Sequence, residues 1–235
     1  MPSLISLTFD DGFRCQFDKA LPILDANEIP ATFFLIANEK PTHESRINEW
    51  WKIEWRDEDI EMLKAAIKKG HEIGSHSVTH DKNKMPQQPD VETRESKKLI
   101  EDWIGCEVSS FCYPYYGSCS YLSNAARSAG YRQARTGHQS THYPLSTPPG
   151  FDIDCREVAA NDNVDDWVRP NHWHVLTFHG IGDGKSGWAN IPVSRFTVMV
   201  GELATRRDSS ELEILTFGEA ALRLHGGDDS VAASS

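Results

Sequence analysis

The regular alternation of strand-like and helix-like segments is the feature that most constrains how this chain can fold. Short runs rich in β-branched and aromatic residues recur along the sequence, and most are followed by a segment whose apolar residues have helical spacing. Strands that alternate with helices pair in parallel, and a closed sheet of such strands is a barrel. The pattern predicts an α/β protein with a parallel barrel, whose strands are residues 4–9, 31–36, 71–75, 108–113, 131–135, 154–158, 174–179 and 212–217.

The helical segments have recognisable ends. Ile60, Leu63 and Ile67 form an apolar stripe between Asp57, a residue type that caps helix N-termini, and Gly70, a residue type that ends helices. Further helices are predicted over residues 17–24, 91–104, 121–129 and 195–206.

Composition predicts one folded domain followed by a short tail. The 235 residues are 39% hydrophobic and 25% charged, which is ordinary for a globular protein. No low-complexity linker interrupts residues 1–220, so we expect a single domain over that range. Residues 221–235 are mostly small and polar, which predicts a disordered tail.

The charge balance argues against several classes of partner. The net charge of −11 disfavours a nucleic-acid partner, because phosphate binding needs a basic footprint. No apolar run approaches the roughly 20 residues of a membrane span. No export signal is visible in the chain, which predicts a cytoplasmic protein as it stands, or a secreted one if a signal peptide has been removed.

The cysteines predict neither a thiolate metal site nor a disulfide framework. There are five of them, an odd number, and none stands in a C-x-x-C pair. We expect mostly buried, free thiols.

Polar and aromatic clusters follow several predicted strands. They are Asp10-Asp11 and residues 75–80, 113–117, 165–167 and 178–180. In a parallel barrel the carboxyl ends of all strands open on one face, where active sites lie. The sequence therefore predicts one site built from distant parts of the chain.

Adjacent carboxylates and a pair of histidines point to a bound cation. Asp10 and Asp11 repel each other unless something positive lies between them or one is protonated. His76 and His80 are four residues apart, and on a helical turn that spacing places both imidazoles on one face. Alone, such a pair more often consists of two solvated or capping histidines, because this spacing occurs often by chance. With a carboxylate after a strand, it predicts a two-histidine, one-carboxylate metal site.

At these residues the sequence resembles the polysaccharide deacetylase family, also called carbohydrate esterase family four. "TFDDG" (residues 8–12) matches the first motif of the family, and "HEIGSHSVTH" (71–80) matches the second. "SFCYPYYG" (110–117), "DDW" (165–167) and "VLTFHG" (175–180) are similar to the third, fourth and fifth motifs, in the same order. The resemblance covers residues 4–220. It implies a distorted, seven-stranded parallel (β/α) barrel and hydrolysis of acetyl groups on carbohydrates.

The resemblance also implies roles for the residues of the first, second and fifth motifs. Asp11, His76 and His80 would hold a divalent metal, usually zinc, although Co²⁺, Ni²⁺ or Mn²⁺ could also occupy such a site. Asp10 would be the general base and His179 the general acid. Such a pair activates water and protonates the leaving amine.

Three further residues would shape the substrate site. By the same resemblance, the backbone N–H of Tyr115 would help to stabilise the oxyanion. Trp167 and Leu176 would line the small pocket that receives the acetyl methyl group.

The chain departs from the family pattern at the residue that orients the base. Many members carry an arginine in the third motif, where this chain has Cys112 or Tyr113. We put forward Arg135, at the end of the fifth strand, as its replacement. Asp166, in the fourth motif, is another base-orienting candidate, although Asn163 stands where an aspartate usually precedes it.

The favoured function is removal of N-acetyl groups from amino sugars in chitin oligomers, peptidoglycan or another exopolysaccharide. The alternative within the family is O-deacetylation of acetylxylan. Hydrolysis of small cyclic amides and metal-free glycoside hydrolysis are weaker alternatives. From another class, an inactive carbohydrate-binding relative would explain the missing arginine, but binding alone requires neither a base nor an acid.

A cluster of tryptophans precedes the second predicted helix. Trp50, Trp51 and Trp55 could stack on sugar rings or pack their segment onto the barrel. We favour packing, because tryptophan side chains are usually largely buried.

Overall fold

A sheet of parallel strands is the central feature of the protein, seen in a computed structural model that describes residues 2–37, 55–117, 120–137, 143–146, 150–182 and 190–225. The described strands are β1 (Ser3–Phe9), β2 (Ala31–Leu35), β3 (Glu72–Ser75), β4 (Ser110–Cys112), β5 (Gln133–Arg135), β6 (Tyr143–Pro144), β7 (Arg156–Glu157), β8 (His172–Phe178), β9 (Gly180–Ile181), β10 (Asn190–Ile191) and β11 (Leu212–Ile214). Neighbouring strands of the sheet run in the order β5-β4-β3-β2-β1-β8, with β7 also paired to β8. These seven strands are parallel to one another.

The segment from residue 150 to residue 158 joins the two ends of this sheet. Ile153 hydrogen-bonds with the backbone of β5 at Ala134, and its carbonyl accepts from the N–H of Thr136. A few residues later, β7 pairs with β8. Because one short segment contacts both outer strands, the sheet curls into a barrel. The predicted α/β class and distorted seven-stranded parallel barrel are confirmed.

The remaining strands extend the sheet at its margins. β11 pairs in parallel with the first half of β1, and β2 pairs with its second half. β6 lies antiparallel to the start of β8, and β9 and β10 form a separate parallel pair. None of these changes the order of the seven barrel strands.

Helices follow most strands, as the sequence predicts. They are α1 (Leu21–Ala26), α2 (Asp57–Lys68), α3 (Lys84–Gln87), α4 (Pro89–Ile104), α5 (Ser120–Ser128), α6 (Val193–Asp208) and α7 (Phe217–Leu224). A π-helical segment, Gln16–Ala20, leads directly into α1. Asp57 does not cap α2: Arg56 takes the cap position, and the carboxylate of Asp59 accepts a hydrogen bond from its N–H at 3.2 Å.

The C-terminal region differs from its prediction. The strand predicted over residues 212–217 ends at Ile214, and α7 begins at Phe217. Thr216 and Glu219 form a reciprocal capping box that starts this helix. Regular structure thus continues to Leu224, past the predicted domain boundary at residue 220, and residues 226–235 lie outside the described part of the chain.

The barrel core is packed tightly beneath the carboxyl ends of its strands. Every residue of β1 is buried, as expected for a strand covered on both faces. The ring of Phe9, the last residue of β1, stacks on Phe33 and Phe178 of the flanking strands, with centroids 4.9 and 5.2 Å away. The residues that immediately follow β1 and β8 therefore lie directly above a close-packed aromatic core.

Two other predictions concern the whole chain. The four cysteines among the described residues are free, as predicted: Cys15, Cys106, Cys112 and Cys155. The described helices include none with the length and apolar character that crossing a membrane requires.

Candidate active site

A tight turn after β1 presents the two adjacent carboxylates. Asp11 and Gly12 both have left-handed backbones, with φ of 73° and 72°. A side chain at position 12 would also crowd the ring of Trp55 and the side chain of Leu35, because a Cβ there would lie 3.1 Å from each. The requirement for glycine follows from both facts. The turn leaves Asp10 and Asp11 side by side and buried, at 1% and 7% exposure.

Asp11 meets both histidines of the second motif. Its Oδ1 lies 3.6 Å from Nε2 of His76 and 3.6 Å from Nε2 of His80. Ligand atoms held tetrahedrally at about 2.1 Å from a zinc ion lie about 3.4 Å apart, so this spacing fits a bound ion. The structure confirms that the sequence brings these three residues together.

The surroundings of His76 favour the neutral form that a metal ligand needs. Its Nδ1 lies 2.9 Å from the carbonyl oxygen of Cys112, so Nδ1–H donates there and Nε2 keeps its lone pair toward Asp11. Burial lowers the pKa of His76 to about 4, despite the opposing effect of the nearby carboxylates of Asp10 and Asp11. The imidazole is therefore neutral near pH 7, as metal ligation requires.

The histidine pair does not lie on a helical turn, contrary to the prediction. Ser77 and His80 have left-handed backbones, with φ of 70° and 52°, which breaks any helix between β3 and α3. The loop is held instead by Glu92 of α4, whose carboxylate accepts hydrogen bonds from the N–H groups of Val78 and Thr79 at 3.0 and 2.9 Å. The imidazoles still converge, with ring centroids 4.8 Å apart.

Tyr115, in the turn after β4, supports the second histidine. Its hydroxyl donates to the carbonyl oxygen of His80 at 3.0 Å, and its ring centroid lies 4.4 Å from that of His80. Its backbone is left-handed, with φ of 58°, and its side chain is 46% exposed. Tyr115 therefore borders the cluster of Asp11, His76 and His80, and its predicted oxyanion role stays a prediction.

Arg135 contacts the predicted base. The guanidinium is fully buried, and its Nη2 donates to Oδ1 of Asp10. The same group donates to Sγ of Cys112 at 2.9 Å, Sγ of Cys155 at 2.7 Å and the carbonyl oxygen of Thr136 at 3.3 Å. Arg135 thus occupies the position expected of a base-orienting residue.

This contact controls the ionisation of Asp10. Burial would raise the pKa of Asp10, but nearby positive charge, above all that of Arg135, outweighs burial and lowers the pKa to about 2. Asp10 is consequently an ionised carboxylate throughout the neutral range.

His179 stands between two carboxylates. Its Nε2 lies 3.9 Å from Oδ2 of Asp10, and its Nδ1 lies 3.6 Å from Oε1 of Glu157. Glu157 ends β7, the strand beside β8, and sequence reasoning did not single it out. Its place at the end of a predicted barrel strand was the available signal.

Gln16 is a second residue that sequence reasoning missed. Its side-chain amide donates to the carbonyl oxygens of Asp10 at 2.6 Å and of His179 at 3.0 Å. It is fully buried at the start of the π-helical segment.

The remaining predicted residues lie outside the cluster of aspartates and histidines. Asp166 is exposed on the short turn Val164–Trp167, and the structure does not bring it to the base that Arg135 contacts. Trp167 and Leu176 are fully buried in the main apolar cluster, and their predicted pocket role is untested. Trp55 is buried against Trp103, with ring centroids 5.6 Å apart, which agrees with the packing interpretation.

The two remaining tryptophans of that cluster, Trp50 and Trp51, lie outside the described residues.

A second cluster of ligand atoms fits a metal less well. Asp10, His76 and Cys112 also place ligand atoms within 4.8 Å of one another. However, Asp10 is already paired with Arg135, and burial raises the pKa of the Cys112 thiol well above its usual value. A neutral thiol beside a guanidinium is a poor cation ligand. The Asp11, His76 and His80 group is therefore the better candidate.

Comparison with known proteins gives a consistent result. The family model described as "Polysaccharide deacetylase" matches residues 2–134. A peptidoglycan-N-acetylglucosamine deacetylase of Bacillus cereus is 32% identical over 124 residues, which is 52% of this chain and 39% of that protein. The chain spans less than half the length of the curated relatives that it matches, 39% of one and 44% of another.

Solved structures share the fold. The Xyl-CE4 domain of a multidomain xylanase from the hindgut metagenome of Trinervitermes trinervoides aligns with a TM-score of 0.59 and 18% identity, covering 95% of this chain and 91% of that domain. A CE4 family pseudoenzyme from Bacillus anthracis aligns with a TM-score of 0.58 and 16% identity, covering 93% of this chain and 65% of that protein.

Proposed function

The chain belongs to the polysaccharide deacetylase family, and on this premise we propose that it is a metal-dependent hydrolase that removes N-acetyl groups from amino sugars in oligo- or polysaccharides. The single observation that supports this most is the convergence of Asp11, His76 and His80 beside an ionised Asp10 and a buried His179. We assign all residues through α7 to one catalytic domain.

The donor set suits a small divalent cation. One carboxylate and two imidazoles, with Nε2 of His76 directed at Asp11, match Zn²⁺, and Co²⁺, Ni²⁺ or Mn²⁺ accept the same ligands. When bound, such an ion polarises the acyl carbonyl and lowers the pKa of water. Asp11, His76 and His80 would hold it.

Asp10 is the proposed general base. Arg135 keeps its carboxylate ionised and fixes Oδ1, so that Oδ2 is directed toward His179. A fixed, ionised carboxylate accepts the proton of an attacking water without first reorganising.

His179 is the proposed general acid. Cleavage of an amide requires protonation of the leaving nitrogen, and an imidazolium can supply that proton near neutral pH. The carboxylate of Glu157 lies 3.6 Å from Nδ1 and helps to hold the ring in place. Base and acid therefore lie on adjoining strand ends, with their side chains 3.9 Å apart.

An inactive carbohydrate-binding protein is the second candidate, because a pseudoenzyme of the same family shares this fold. The intact set of ionisable residues argues against it. Sugar binding without turnover would support it.

The decisive experiment is a measurement of acetate release from N-acetylglucosamine oligomers, peptidoglycan and acetylated xylan. We expect release from the N-acetylated substrates, loss of activity with a chelator and recovery with Zn²⁺. Release from xylan alone would favour the O-deacetylase alternative. No release from any substrate by zinc-loaded protein that binds these sugars would favour the inactive relative.

A further inference from the structure

We propose that Gln16 is a positioning residue that fixes the separation between Asp10 and His179. This inference rests on the proposed function, in which these two residues handle the protons of the reaction. It concerns a residue outside the motifs that carry the family resemblance.

The two residues follow neighbouring strands whose hydrogen-bond ladder ends beneath them. Phe9 of β1 is the register partner of Phe178 of β8. One further bond, from the N–H of Asp10 to the carbonyl oxygen of Phe178 at 3.0 Å, completes the ladder. Gln16 provides the next link, because its amide donates to the carbonyl oxygens of both Asp10 and His179.

The orientation of the amide follows from its partners. Two carbonyl oxygens lie 2.6 and 3.0 Å from Nε2, and only an NH₂ group can face two acceptors. The opposite atom, Oε1, is buried and has no hydrogen-bond partner among the described residues. A buried acceptor without a partner is costly. An apolar side chain would fill this space without that cost, so the donor function of Gln16 is the reason we infer for its presence.

The backbone of Gln16 is anchored on both sides. It begins the π-helical segment, a feature that often marks functional sites. Sγ of Cys15 accepts a hydrogen bond from the N–H of Ile181 at 3.4 Å, and the ring of Phe17 stacks on Phe33 at 4.9 Å. The amide is therefore held by the barrel rather than by a free loop.

Loss of the amide should affect chemistry more than binding. Oδ2 of Asp10 and Nε2 of His179 are 3.9 Å apart, and both depend on the backbone atoms that Gln16 ties together. A displacement of about 1 Å can lower a rate about 100-fold. We expect Gln16→Met to lower kcat about 10- to 100-fold, with KM changed less than about 2-fold.

The test compares Gln16→Met and Gln16→Glu with a matched control, Gln133→Met. Gln133 is also buried, and its amide donates to the hydroxyls of Ser110 and Ser109 at 2.7 and 3.3 Å. It lies at the amino-terminal end of β5, whereas the site lies at the carboxyl ends of the strands. kcat, KM, melting temperature and zinc affinity by chelator competition are measured for each variant.

We expect all variants to lose stability, but only the Gln16 variants to lose kcat. Zinc affinity should stay within about 3-fold of the wild type in every variant, because the proposed ligands are retained. Equal kcat in Gln16→Met and Gln133→Met would overturn the proposal. So would a fall in zinc affinity that matches the fall in kcat.

A structural measurement separates this proposal from the proposed function. Crystal structures of the zinc-loaded wild type and Gln16→Met should differ by about 0.5 Å or more in the separation of Asp10 Oδ2 and His179 Nε2. An unchanged separation overturns the positioning role even if the protein proves to have no deacetylase activity. An increased separation in an inactive protein would sustain it and reject the proposed function alone.

Discussion

Arg135 and Cys112 are register partners on the neighbouring strands β5 and β4, and the guanidinium of Arg135 lies 2.9 Å from the thiol of Cys112. The family resemblance leads one to expect an arginine in the third motif, where Cys112 or Tyr113 stands. In this protein the arginine reaches the same aspartate from the next strand, across a side chain small enough to admit it. We propose that this contact compensates for the departure from the motif.

The first prediction concerns Arg135. Arg135→Met should lower kcat at least 100-fold and move the acidic limb of the kcat–pH profile upward, because burial would then raise the pKa of Asp10 without opposition from the guanidinium. Removing one partner of a buried pair also costs about 3–5 kcal/mol of stability. Arg135→Lys, which retains the charge, should show smaller losses of kcat and of stability. Unchanged kcat in folded Arg135→Met protein would dismiss the base-orienting role.

The second prediction concerns acid stability. The pKa of Asp10 is about 2, below its ordinary value of 3.8, so this group adds stability above pH 4 and loses it as the pH falls through 2. The contribution is on the order of 2 kcal/mol. Urea unfolding of metal-free protein between pH 5 and 2 measures it. Asp10→Asn should flatten this part of the profile, and an equally steep profile in that variant would contradict the assignment.

The third prediction concerns the metal ligands. His76→Ala and His80→Ala should each weaken zinc binding about 100-fold or more, since each removes one of three ligands. Calorimetric titration with zinc measures the effect, and His225→Ala, at the exposed end of α7, is the control. Full zinc affinity in either ligand variant would place the metal elsewhere.

The fourth prediction concerns Tyr115. Tyr115→Phe removes only the hydrogen bond to the carbonyl oxygen of His80, and should weaken zinc binding a few-fold. Tyr115→Ala also removes the ring that packs on His80, and should weaken it about 10- to 100-fold. Tyr121→Ala, at another exposed tyrosine, serves as the control. If Phe and Ala variants bind zinc equally well, the ring has no part in holding His80.

The fifth prediction concerns Glu157. Glu157→Gln should lower kcat about 10-fold, because a neutral amide replaces the carboxylate that lies 3.6 Å from Nδ1 of His179 and helps to orient the ring. The matched control is Glu213→Gln, which removes an exposed carboxylate paired with Arg223. A kcat that falls no further than in Glu213→Gln would show that Glu157 does not assist His179.

The sequence predicted those parts of the site that depend on local patterns and strand ends. Asp10, Asp11 and His179 directly follow strands with strong alternation or continuous apolar character, so their common face could be inferred. His76 and His80 were paired correctly, but their local conformation depends on left-handed residues and on Glu92 from a later helix.

The missed residues act through contacts between distant segments. Gln16 and Glu157 touch the site only because a π-helical segment and a two-residue strand lie beside it. Neither contact leaves a periodic signal in the sequence. The start of α7 did leave a signal in the sequence, because Thr216 and Glu219 have the spacing of a capping box. The strand-like residues before them obscured this signal.

The segment from residue 150 to residue 158 does more than join β5 to β8. It carries Cys155 against the guanidinium of Arg135 and Glu157 against the imidazole of His179. Local opening of this segment would therefore remove Cys155 from Arg135 and Glu157 from His179, while the remaining strands stayed paired. Catalytic competence should vanish at a lower denaturant concentration than secondary structure, with the amides of Ile153 and Val158 exchanging before those of β1.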